Sequence, residues 1–142
     1  MGAVAYWYVV KYRPNVGAVL QELREREFRA GRYNPAMPFP DTRSPGPGAR
    51  HRTIQEALRA SGADGTRSIL DIDCISETPE CGAAAPLSDE LLMELYGTTQ
   101  PTQEDLDQGD VFEHIDRGQC VFIFVYRDDQ PDEIAFAGYS YD

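Results

Sequence analysis

Asp71 and Asp73 are the two carboxylates whose spacing comes closest to a chemical motif. Residues two apart on an extended strand point to one face, so the pair would set two oxygen ligands side by side for Mg²⁺ or another hard cation. Glu94, Glu113 or His114 would have to complete the shell. Such a site needs several convergent ligands, and the plainer expectation is a solvated strand face opposite Leu70, Ile72 and Cys74. The two histidines, His51 and His114, are the remaining weak candidates for acid–base work. No Ser or Cys stands in a nucleophile elbow, so a Cys74–His114 or Cys120–His51 pair depends wholly on the fold.

Other chemistry is excluded more firmly. Cys74 and Cys81 form neither a CxxC pair nor a Cys/His zinc pattern, and three cysteines are too few for a disulfide framework. Gly46-Pro47-Gly48 lacks the Gly-Lys-Ser/Thr ending and the apolar helix of a phosphate loop. Nothing in the sequence calls for a metal or a cofactor.

Charge is the strongest signal. Residues 1–67 carry 11 of the 13 bases and six of the 24 acids, whereas residues 68–142 carry two bases and 18 acids, a formal +5 against −16. The basic set Arg24, Arg26, Arg29, Arg32, Arg43, Arg50 and Arg52, interleaved with Tyr33 and Phe39, looks like a small phosphate-and-stacking surface. A sequence pI near 4.5 and the acidic second half oppose a polyanion, so nucleic acid is not the expected partner. Pairing of these arginines with acids of the second half is the expected internal use. The acids gather at Asp89, Glu90 and Glu94; at Glu104, Asp105, Asp107, Asp110, Glu113 and Asp116; and around Asp128, Asp129, Asp132 and Glu133.

These residues must be positioned by one chain of 142 residues, a common size for a single domain, read here as 1–142. The segment Ala3–Val10 is apolar on both faces and reads as a central strand. Pro14 and Asn15 open a helix with Val16, Val19, Leu20 and Leu23 on one stripe, Glu22/Arg26 and Glu25/Arg29 as i,i+4 pairs outside it, and Gly31 as its stop. Five prolines then fall within 31–52, which reads as a loop or lid. Thr53 caps a second helix ending at Gly62, 68–76 reads as a strand, and 77–86 as a loop. Ser88 caps a third helix ending at Gly97, and Thr102 a fourth reaching about Arg117. Cys120–Tyr126 and Glu133–Tyr141 read as a hairpin with a longer loop. The order β-α-loop-α-β-α-α-β-β predicts an α+β two-layer sandwich, with helices on one face of a mainly antiparallel sheet of about four strands.

No apolar run approaches the roughly 20 residues of a membrane helix. The N-terminus has no basic region before its apolar stretch, and Tyr6 stands where a myristoylation signal needs Ser or Thr, so a soluble cytoplasmic protein is expected. The leading expectation for function is a non-enzymatic binding domain of the inhibitor, immunity or regulatory type. It would present Glu104, Asp105, Asp107, Asp110, Glu113, Asp116, Asp128 and Asp129 to a basic protein, with Phe112 or Tyr139 as apolar anchors. The alternative is a small enzyme or ligand-binding domain, in which Arg32, Tyr33, Arg43, Arg50 and Arg52 grip an anionic molecule under the loop. Self-association as a homo-oligomer, through that loop or a terminal strand edge, is the third reading.

Overall fold

A computed structural model describes residues 3–33 and 51–142. Its core is a five-stranded mixed sheet in the order β1-β5-β4-β3-β2, built from β1 (Ala5–Lys11), β2 (Cys74–Ile75), β3 (Ala83–Pro86), β4 (Cys120–Arg127) and β5 (Gln130–Tyr139). β1, β5 and β4 are antiparallel neighbours, whereas β4, β3 and β2 run parallel. The class is α+β, as the alternation of elements predicts, but the sheet is larger and more mixed than expected.

Helices cover both faces rather than one. Helix α1 (Val16–Arg29) and a 3-10 turn at Ile69–Asp71 pack on the face that carries Tyr6, Phe122, Ile134 and Phe136. Helix α2 (Ile54–Ser61) lies behind that turn, with Ala57 against Tyr33 and Leu70. The other face carries Val121, Val125, Ala135 and Ala137. Leu92 of helix α3 (Asp89–Tyr96), Leu106 of helix α4 (Gln103–Leu106) and Val111 of the 3-10 turn Val111–His114 cover it. A second layer is required because β4 is apolar on both sides, and burying only one side would leave Val121, Ile123 and Val125 in water.

The helix starts follow the cap residues. Asn15, Thr53, Ser88 and Thr102 each accept a backbone N–H of the first turn, and Gly97 ends α3 in the left-handed region. The capping-box acid after Thr53 is used differently: Glu56 accepts the N–H of Arg52. The helix expected from Thr102 to Arg117 is broken into α4 and the 3-10 turn, with Gly109 between them against the carbonyl of Leu95.

Three strand expectations change. β1 is an edge strand among the described residues, where β5 is its one strand neighbour. The stretch 68–76 opens with the 3-10 turn and contributes only Cys74–Ile75 as strand, while β3 falls inside the expected loop 77–86. The hairpin is tight: Arg127 pairs with Gln130 across a two-residue turn in which Asp128 and Asp129 have φ of 50° and 64°. Pro131 is accommodated within β5, facing Tyr126 beside a bulge and beyond the end of β1.

Candidate functional site

The 3-10 turn sends Asp71 and Asp73 into unlike surroundings, so they do not share a strand face. Asp71 is 8% exposed and accepts both the N–H and the hydroxyl of Thr66 at 2.7 and 2.8 Å on one carboxyl oxygen. Thr66 in turn meets Ser68, which caps the turn at Leu70. The other oxygen, Oδ2, is buried without a hydrogen-bond partner, under Gly65 and the Tyr141 ring. Asp73 is exposed, 4.0 Å from Nη1 of Arg24. Among the described residues no group of three His, Cys, Asp or Glu could hold a metal ion.

Burial pushes the Asp71 carboxyl above its ordinary range, against the opposing pull of the Thr66 and Arg67 contacts and the Arg24 charge. A carboxyl raised on folding makes the folded chain the better proton acceptor. Its contribution is therefore most favourable at low pH and is lost as pH rises from the unfolded toward the folded value. Asp71→Asn keeps the acceptor for Thr66 and removes the charge. Its stability relative to wild type should improve as pH is raised from roughly 4 to 7, read from urea midpoints. A relative loss for the Asn variant over that range would contradict this reading.

The described arginines of α1 and its flanks pair mostly with nearby groups, while Arg67 donates to the carbonyl oxygen of Asp142 at 3.2 Å. Glu27, 4% exposed, takes Arg32 through both its carboxyl oxygens at 2.6 and 3.0 Å and Arg26 at 3.1 Å. Burial would raise the Glu27 carboxyl, and these guanidinium contacts outweigh it and hold it low. Glu25 and Arg29 form the expected pair at 3.0 Å, but Glu22 turns to Arg13 instead of Arg26. Buried Arg24 donates to Gln21 and to the carbonyl of Leu70. Among the described residues, the one side-chain pair from these arginines to an acid of the second half is Arg24–Asp73.

Tyr33 stacks on Phe28 at 5.8 Å, and its hydroxyl meets Nδ1 of His51 at 2.9 Å. This joins the two chain ends that flank residues 34–50. Arg32, Tyr33 and His51 are thus together, Arg52 is exposed one residue further on, and Arg43 and Arg50 lie outside the described residues. His114 is exposed elsewhere, in a cleft of about 460 Å³ with Glu77, Leu87, Asp89 and Val121. Cys120 is buried in β4, where burial pushes its thiol up to about 12, while Cys74 and Cys81 are exposed.

The acids of the second half are arranged differently. The backbone N–H of Tyr126 donates to the carbonyl of Pro101 at 2.8 Å, which docks the start of α4 against the hairpin. A groove of about 430 Å³ results, lined by Glu104 on one side and Asp128, Asp132 and Glu133 on the other, with Tyr126 and Arg127 between. None of these four acids has an ion pair among the described residues. Asp129 is exposed at the tip. Asp105 and Asp110 are partly occupied as caps, accepting the N–H groups of Thr102 and Phe112, while Asp107, Glu113 and Asp116 are exposed. Phe112 and Tyr139 are half-buried, in edge contact at 5.5 Å, and Phe112 also meets the exposed Trp7 at 6.2 Å.

Sequence reasoning missed two features. The convergence of Glu104 with the hairpin acids depends on a docking contact between residues 25 apart, which has no local signal. The burial of Arg24 and Glu27 did have one, because both continue the apolar stripe Val16, Val19, Leu20, Leu23 by one more turn.

No helix among the described residues is long and apolar enough to cross a membrane. No protein-family model matches the chain, and no curated protein and no solved structure matches it.

Proposed function

We propose that this protein is a non-enzymatic, intracellular binding domain of the inhibitor, immunity or regulatory type, and that the groove between α4 and the β4–β5 hairpin receives a basic segment of a partner protein. The observation that carries this reading is the contrast in pairing. Arg26 and Arg29 of α1 are engaged by acids of that helix, whereas the four carboxylates that line the groove beside Arg127 have no ion pair among the described residues. An array of that kind steers a cationic surface toward itself and holds it in register.

The turn at the hairpin tip supports the same reading. Two-residue turns with both φ values positive favour Asn-Gly or Asp-Gly, so Asp128 suits its position while Asp129 stands where glycine is preferred, at a cost of about 1 kcal/mol. Asp-Asp adds like-charge repulsion to that cost. Local backbone preference accounts for Asp128 but not for Asp129, and a cation brought to the tip would offset the repulsion between them.

The test is affinity capture from a lysate at low salt, with the wild-type chain and a Glu104→Gln, Asp128→Asn, Asp132→Asn variant immobilised in parallel. The expected result is a basic protein retained by wild type, lost from the variant, and eluted by about 0.3–0.5 M salt. Equal retention by both chains, or no basic protein on either, would count against the groove.

A further inference from the structure

The two edges of the sheet are guarded very differently. β2 is two residues long, too short to template a further strand. β1 has seven residues, no proline and no bulge, and a single charge, Lys11, at its far end. Tyr12 donates its N–H to the carbonyl of Asp132, and Ser140 donates to the carbonyl of Val4. The even-numbered residues therefore form the hydrogen-bonded pairs with β5, and the N–H and C=O groups of Ala5, Trp7, Val9 and Lys11 face away from it. The side chains of those same four residues share the face of Val9 and Phe112, and Trp7 among them is 39% exposed.

We infer that β1 pairs antiparallel with β1 of a second copy across a two-fold axis, joining two five-stranded sheets into one. The parity fits. Aligning the whole of Ala5–Lys11 with its own reverse sets Ala5 opposite Lys11 and Trp7 opposite Val9, so each outward-bonding residue meets another. Trp7 of one copy then packs on Val9 of the other, an aromatic–β-branched cross-strand pair of the stabilising kind.

The charges fit as well. Lys11, the only lysine in the chain, arrives beside Ala5 and diagonal to Trp7 of the other copy, within reach of a cation–π contact. Trp7 touches Phe112, so the lysine meets a pair of aromatic rings. The opposing effect is repulsion between two chains of net −11. At physiological salt the screening length is about 8 Å, which confines that repulsion to charges near the joint and leaves the strand contact to decide. Edge and groove adjoin at Lys11, which lies opposite Glu133, whereas Ala5 and Trp7 pair with Tyr139 and Ala137 outside the groove, so substitutions at Ala5 and Trp7 let either proposal fail alone.

The experiment is sedimentation equilibrium with light scattering at about 0.15 M salt, over roughly 1–100 µM chain. Wild type should reach twice the chain mass of 15.9 kDa within that range. Trp7→Glu removes the cross-strand pair and Ala5→Pro removes an outward N–H at an exposed strand end. Each should weaken dimerisation by about tenfold or more, with unchanged circular dichroism. Lys11→Gln, an exposed substitution that sets no like charge opposite Glu133, removes the cation with little strain on folding and should weaken the dimer in the same direction. A monomer throughout the range would overturn the inference, and so would a dimer indifferent to all three substitutions.

Discussion

Replacing Asp128-Asp129 with Asn-Gly, together with Glu104→Gln and Asp132→Asn, is expected to slow association with the basic partner by roughly 10- to 100-fold while raising the melting temperature. The first effect follows from removing most of the charge that faces the groove, since electrostatic steering accounts for factors of 10–10³ in association rate. The second follows from the backbone. Both turn residues have positive φ, where Asn-Gly is preferred, and the same change relieves two adjacent like charges. The two effects have separate causes, steering charge and turn geometry, so the pair of readouts is diagnostic. A variant that is stabilised but binds unchanged would leave the tip a mere turn. The informative control is Asp89→Asn with Glu90→Gln, which neutralises acids outside that groove and should change the rate by less than about twofold.

The largest expected effect on stability is at Phe136. It is fully buried at the centre of β5, opposite Tyr8 on β1 and Phe122 on β4, with the Phe122 ring at 6.2 Å. Its contacts therefore bridge the antiparallel half of the sheet to α1. Phe136→Ala should cost about 3–5 kcal/mol, and for a chain of this size lower the melting temperature by roughly 10–17 °C. Thermal denaturation followed by circular dichroism checks it. A loss below about 1 kcal/mol would mean that the two aromatic layers around this ring do not form one core. Nearby, Gly138 cannot relieve the loss by carrying a side chain, because a Cβ there would stand 2.5 Å from the buried Tyr6 ring.

What the sequence revealed and what it hid divide along physical lines. Caps are local, so Asn15, Thr53, Ser88, Thr102, Gly62 and Gly97 mark helix ends correctly. The apolar runs of β1 and β4 mark strands, but an apolar run does not say how many neighbours a strand has. β4 is central, whereas β1 is an edge with α1 on one face and Phe112 on the other. The α+β class is thus legible, while mixed pairing and the second helical layer are not, because β3 is the small-residue segment Ala83–Pro86 with no β-branched side chain to announce it. At the candidate sites, residue types were visible and juxtaposition was not. Asp71 and Asp73 looked alike in sequence and were separated by one 3-10 turn; Glu104 and Asp128 looked unrelated and were brought together by one backbone hydrogen bond between Pro101 and Tyr126.

The most direct test of the acidic groove is the association rate with the captured basic partner, measured by stopped flow at ionic strengths from about 0.02 to 0.5 M. The account predicts a wild-type rate that falls by tenfold or more across that range, and a flat dependence once Glu104, Asp128, Asp129 and Asp132 are neutralised. A wild-type rate that is insensitive to salt, or a neutralised chain that keeps the full wild-type slope, would contradict it.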